Sequence, residues 1–142
     1  ELDEAMRRAG ARGVDVRLLV SHWSTKAGTI EALQSLATAP GVAVRLITIP
    51  RWSGGFIPFA RVSHAKYMVV DGASAWVGTS NWEGDYFTRS RNVGLVLEGA
   101  PVAARLDRIF EDGWSGPYAA AVDPAGHYAP PSVDREAPPG DR

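Results

Sequence analysis

The chain has 142 residues, 15 Lys and Arg against 16 Asp and Glu, a net charge of −1, and no cysteine. That length allows one modest core. The composition excludes disulfides and thiolate metal sites, leaves no global basic field for polyanions, and contains no apolar run near the roughly 20 residues that span a bilayer.

In chain order, Leu2, Ala5, Met6 and Ala9 repeat at helical spacing and stop at Gly10. Val14–Val20 reads as a strand between Gly13 and Ser21. Thr29 is a fit N-cap for a helix over Ile30–Ala39, with Ile30, Leu33 and Leu36 as its apolar stripe. Pro40-Gly41 ends that helix, and Val42–Ile49 is a second strand, so the βαβ spacing predicts a parallel pair. A Gly/Pro/aromatic loop, Arg51–Arg61, leads into a hairpin around Asp71-Gly72. A strand over Asn92–Leu97 and a helix near Val102–Trp114 follow, the helix carrying Leu106, Ile109 and Phe110 on one side. From Pro117 periodicity fades. Residues 1–123 read as one folded domain and residues 124–142 as a disordered or loosely attached Pro-rich tail. No internal repeat is visible, and the first residues show no signal-peptide pattern. The chain reads as soluble, with cytoplasmic and secreted compartments both open.

The chemistry concentrates in Val62-Ser63-His64-Ala65-Lys66-Tyr67-Met68-Val69-Val70-Asp71 and Gly78-Thr79-Ser80-Asn81-Trp82. His64 and Lys66 are two apart, which on a strand places them on one face. Asp71-Gly72 between two β-rich runs signals a two-residue hairpin. Pairing Val70 with Ala73 across it sets Lys66 opposite Val77 and His64 opposite Thr79, with Asn81 on the His64 face. An imidazole, an ammonium and a carboxamide then converge on one anion. Asp71, with the other strand parity, braces the turn and does not face the phosphate.

His64, Lys66, Asp71, Gly78, Thr79 and Asn81 occupy every fixed position of HxK(x4)D(x6)G(S/T)xN, and on that string the chain resembles the phospholipase D superfamily. Val16–Val20, Ile57–Val62, Asp85-Tyr86-Phe87, Phe110–Trp114 and Pro117-Tyr118 extend the likeness, over residues 14–123, to the C-terminal half of its animal lysosomal 5′-exonuclease branch. The resemblance implies an α/β fold, a mixed, mostly parallel sheet flanked by helices. It implies a metal-independent phosphodiesterase working through a phosphohistidine, with 5′-exonuclease action on single-stranded nucleic acid and no cofactor. Such enzymes join two motifs: one His attacks phosphorus, and the other protonates the leaving alcohol and then activates water. By resemblance His64 takes the acid/base part. The residues suit those tasks. Lys66 holds a non-bridging oxygen as a point charge, Asn81 donates an amide N–H with Thr79 or Ser80 adding a hydroxyl, and the His64 imidazole can act as nucleophile or general acid.

One motif is half a site. No second HxK exists, since His22 and His127 lack a Lys two places on. The partner is therefore an N-terminal half of the same enzyme or, as in small single-motif nucleases of this superfamily, a second copy. Relatives build each half on a strand preceding the first helix, so a central strand is expected to be missing and a sheet edge exposed. A carboxylate that some members place about 11 residues beyond the motif Asn is absent from Ser90-Arg91-Asn92-Val93, leaving Asp85 or the other half to orient the histidine.

Two readings stay open at several residues. His22-Trp23 lines a cleft or packs as an aromatic pair. Arg51, Trp52, Phe56, Phe59 and Arg61 stack bases or simply pack the loop. Trp82, Tyr86 and Phe87 contact a leaving nucleoside or are buried. No ligand spacing suggests a metal. Two other functions compete with the nuclease: a phospholipase or phosphatidyl transferase acting on lipid headgroups, for which Phe56-Ile57-Pro58-Phe59 is the sole apolar rim on offer, and a non-catalytic structural half.

Overall fold

The computed structural model describes residues 1–132. The chain divides into two compact units, residues 1–63 with the segment from 114 onward, and residues 64–113. The part of the expected disordered tail at 133–142 lies outside the described residues.

The first unit begins with α1 (Leu2–Ala11), whose surface carries Asp3–Arg7 and Glu4–Arg8 ion pairs at one-turn spacing. Strand β1 (Val16–Ser21) follows. Then come a short 3₁₀ turn (His22–Ser24), α2 (Thr29–Ala37) and β2 (Val42–Ile47). The βαβ unit forms the expected parallel ladder, Val16 against Val42 through Ser21 against Ile47. The N-cap of α2 is Gly28, not Thr29. Glu31 reaches back to accept from the Gly28 N–H at 2.6 Å, so the first turn is closed by a carboxylate and not by a threonine hydroxyl. Ile30, Leu33 and Leu36 of α2 pack on Val42, Val44 and Leu46, which alternate along β2, and on Val122. The opposite face of β2 carries Arg45. Its guanidinium lies 4.8 Å from the Trp114 ring centroid and donates to the Trp114 carbonyl at 2.6 Å, while Arg17 approaches the same ring at 5.7 Å.

Where periodicity fades the chain still finds structure. Ala119–Ala121 form β6, antiparallel to β2, and the Thr48 N–H to Tyr118 O and Val122 N–H to Val44 O bonds extend the pairing. Alanines carry no strand signal; the free backbone edge of β2 supplies the reason. Residues 124–132 then fold back instead of hanging loose. Gln34 donates to the carbonyls of Asp123 and Gly126, the Asp123 N–H bonds Tyr128 Oη, and Thr25 Oγ1 donates to Ala129 O. Tyr128 packs against the core.

In the second unit β3 (Tyr67–Val70), β4 (Ser74–Gly78) and β5 (Gly94–Glu98) form an antiparallel sheet, with α3 (Gly84–Thr88) in the β4–β5 connection and α4 (Ala100–Ser115) after it. The α/β class with mixed sheets and flanking helices is as expected. The predominance of parallel strands is not. Among the described residues one ladder is parallel and three are antiparallel, in two three-stranded sheets ordered β1-β2-β6 and β3-β4-β5. The reason is connectivity. Only α2 makes a crossover between neighbouring strands, while β3 and β4 are joined by a tight turn that permits only antiparallel pairing. Among the described residues strand β1 stands at the edge of its sheet.

Candidate active site

The geometry of the motif follows from the hairpin. Asp71 and Gly72 both take left-handed backbone angles, φ 51° and 62°, the requirement of a primed turn, and the Ala73 N–H bonds Val70 O at 3.0 Å. The ladder nevertheless pairs Val70 with Ser74 and Tyr67 with Val77, one residue away from the register that a two-residue loop would set. Ala73 is the extra residue, and its carbonyl is drawn off to accept from the Gly99 N–H at 3.0 Å. The expected oppositions of Lys66 with Val77 and His64 with Thr79 are therefore not formed, and the strand parity that set Asn81 on the His64 face goes with them. Lys66 O instead accepts from the Gly78 N–H at 3.1 Å, setting Lys66 across from the motif glycine.

A one-residue slip exchanges the face on which every partner lies. Lys66, Met68 and Val70 share their face with Gly78, Trp76 and Ser74, so Trp76 joins the site and Val77 leaves it. Sequence reasoning passed over Trp76. Its indole lies flat along β4 and β5. A Cβ on Gly78 would overlap the Trp76 ring, with Cη2 at 2.6 Å, and a Cβ on Gly94 would sit 2.6 Å from Trp76 Nε1. The signal was available, since a glycine two residues after a tryptophan on a strand leaves room for the ring to lie down. Trp82 stands 6.4 Å from Trp76, centroid to centroid, tilted 55°, and is 37% exposed. Trp82 and Phe87 are exposed, so burial in a core is not their role.

His64 and Lys66 lie in extended chain just ahead of β3, with His64 exposed. Lys66 Nζ donates to the His64 carbonyl at 3.0 Å, which uses one of its three donors. Burial pushes the Lys66 amine below the usual lysine range. Burial, and then the charge of Asp107 on α4, push the Tyr67 phenol up.

Asn81, half-buried, lies beyond the end of β4 in a loop pinned from both sides. Thr79 Oγ1 donates to Asn92 Oδ1 and accepts from the Val93 N–H, both at 3.1 Å. Asn92 Nδ2 donates to Tyr86 O and Ser90 Oγ at 2.8 Å. The Thr79 hydroxyl is thus engaged in holding the loop. Ser80 is buried beside it. Asn92, noted in the sequence only for not being a carboxylate, is the hub of this latch. Asp85 faces Arg89 at 3.6 Å on the surface. Asp71 sits exposed at the hairpin tip, roughly 16 Å along the strand from Lys66. In the other unit His22 and Trp23 pack together at 5.8 Å, and Trp23 meets Phe59 at 5.6 Å, while His22 also lines a cavity with Thr25, Leu46 and Tyr128.

His64-Ala65-Lys66 thus enters a hairpin of an α/β chain with Lys66 across from the first residue of Gly78-Thr79-Ser80-Asn81. Residues 1–114 match the family model described as cardiolipin synthase, phospholipase D-like domain, and the chain belongs to that family. It is 39% identical over 131 residues to a probable phospholipase D of Caenorhabditis elegans, covering 83% of this chain and 24% of that protein. It is 39% identical to phospholipase D Z of Dictyostelium discoideum (85% and 29%) and 37% identical to the 5′-3′ exonuclease PLD4 of Mus musculus (86% and 27%). The chain therefore spans about a quarter of the length of the curated relatives it matches. The fold superposes on Nuc, a phospholipase D family member from Salmonella typhimurium, with a TM-score of 0.69 at 20% identity, covering 84% of this chain and 72% of Nuc. Among the described residues no helix is long and apolar enough to cross a membrane.

Proposed function

We propose that this chain supplies one His-Lys-Asn motif of a metal-independent phosphodiesterase that degrades single-stranded nucleic acid from its 5′ end. The observation that carries the reading is the complete motif string on a hairpin whose register sets Lys66 across from Gly78. Lys66 keeps two ammonium donors for a non-bridging oxygen, and Asn81, fixed by the Thr79–Asn92 latch, adds an amide N–H. The second motif comes from an N-terminal half or a second copy of the chain. Its imidazole attacks phosphorus, the P–O bond to the leaving alcohol breaks, and His64 gives that oxygen its proton. His64 then takes a proton from water, which attacks phosphorus, breaks the P–N bond and frees the first imidazole. Asp71 serves through the turn. Trp82 lines the substrate path with an exposed indole beside Trp76, while Ser80, buried, supports the loop from within. Relatives named 5′-3′ exonucleases, at 37–38% identity, support the nucleic-acid substrate.

Relatives named phospholipase D give the lipid headgroup reading its own support. Incubating the full-length enzyme in EDTA with 5′-labelled oligonucleotide and with phosphatidylcholine separates the two. The nuclease reading expects loss of 5′-terminal nucleotides, reduced about 10²–10⁴-fold or more in His64→Ala. Cleavage of the lipid alone overturns the substrate, and full activity in His64→Ala makes this a structural half.

A further inference from the structure

We infer that the Arg51–Arg61 loop is a second contact site for single-stranded nucleic acid, in which the Trp52 indole stacks a base and Arg51 and Arg61 hold the adjoining backbone. This rests on the nucleic-acid substrate proposed above and deepens it by naming where, outside the His-Lys-Asn motif, the strand is gripped.

The loop belongs wholly to the first unit and borders an open concavity of about 210 Å³, lined by Arg51, Trp52, Phe56, Ile57 and Arg61 among others. That is below the roughly 300–1,000 Å³ of pockets that engulf a drug-sized ligand, and it suits one flat ring. Trp52 is 63% exposed, yet its ring is not loose. It lies against the backbone of Gly54, where a Cβ would overlap the ring and stand 2.7 Å from Cε2. One indole face is thus backed by backbone while most of the side chain remains in solvent. That is the form of a stacking platform. Phe59, 62% exposed, is held at φ 62°, a backbone state that bulky residues seldom adopt, and rests against Trp23. Arg61 Nε donates to Ile49 O at 2.7 Å, fixing its guanidinium at the base of the loop.

Charge selects the ligand. Within the loop itself, residues 51–61, the sequence carries Arg51 and Arg61 and no carboxylate, so a chain of net charge −1 has a basic loop here. Arginine planes stack on bases and fork onto phosphates. A bilayer surface is the weaker fit, because Trp52, Phe56 and Ile57 line a concavity between two arginines and, among the described residues, no basic amphipathic helix accompanies them.

The test uses the full-length protein in a His64→Ala background that prevents turnover, and reads anisotropy of fluorescein-labelled oligothymidylate. Trp52→Ala is expected to weaken binding about 5- to 150-fold, and Trp52→Phe to retain most of it. Arg51→Ala is expected to lower the slope of log affinity against log salt by about 0.7. Circular dichroism confirms that each variant is folded; should Trp52→Ala unfold, Trp52→Phe and Arg51→Ala carry the test. Unchanged affinity in folded Trp52→Ala, or an unchanged salt slope in Arg51→Ala, overturns the site. Loss of phosphatidylglycerol-vesicle binding with oligonucleotide binding intact assigns the loop to a lipid surface and also overturns it. The chemistry is read separately, by hydrolysis of bis(p-nitrophenyl) phosphate in the wild type and its loss in His64→Ala, so failure there leaves the loop result standing on its own.

Discussion

Gly78 is the motif position whose role the structure explains most directly, and Gly78→Ala tests it. The added methyl would overlap the Trp76 ring, with Cη2 at 2.6 Å, and meet Val93 O at 3.0 Å. Overpacking of this kind costs about 1–3 kcal/mol, offset by the roughly 0.5–1 kcal/mol that alanine gains over glycine in a strand. The net expectation is a loss of about 0.5–2 kcal/mol from equilibrium urea unfolding, with the slope unchanged. In a Trp76→Ala background the ring is gone and only the Val93 carbonyl remains close. There Gly78→Ala should be neutral within about 0.5 kcal/mol, giving a coupling of about 0.5–2 kcal/mol in the double-mutant cycle. Oligonucleotide hydrolysis should fall in Gly78→Ala at temperatures where the protein stays folded, because the ring it displaces stands beside Trp82 and its backbone N–H bonds Lys66 O. Equal costs in both backgrounds, or none in the wild type, would refute the account of why glycine is needed here.

Three further outcomes follow from the same hairpin. Asn92→Ala and Thr79→Val should each lose about 1 kcal/mol and show positive coupling; kcat should drop more than KM rises, since they act by holding Asn81. Because burial keeps the folded Lys66 pKa below its unfolded value, the unfolded state binds more protons between the two, and stability rises as pH climbs through that window. Lys66→Met should abolish that alkaline gain, be at least as stable as the wild type at pH 7, and hydrolyse oligonucleotide about 10²–10³-fold more slowly; a Lys66→Met protein less stable at pH 7 would contradict the sign. Asp71→Asn should keep stability within about 0.5 kcal/mol, whereas Asp71→Val, forced to φ 51°, should lose about 1–2 kcal/mol in thermal unfolding.

The sequence alone determined what local chemistry fixes. The Ile30-Leu33-Leu36 stripe and the alternation of Val42, Val44 and Leu46 specify one helix and one strand that bury each other, and their order makes the pair parallel. Asp71-Gly72 specified the turn, and the spacing of His64, Lys66, Gly78 and Asn81 specified the family. Tertiary structure decided what depends on partners distant in the chain. Ala73 became a third loop residue because Gly99 claims its carbonyl, and that single displacement exchanged Val77 for Trp76 beside Lys66. Ala119–Ala121 became a strand because β2 had an unpaired edge, and residues 124–132 were pinned because Gln34 and Thr25 offered donors across the unit. A turn type is written in two residues, but a register is settled by whichever backbone groups, near or far in sequence, compete for the same hydrogen bonds.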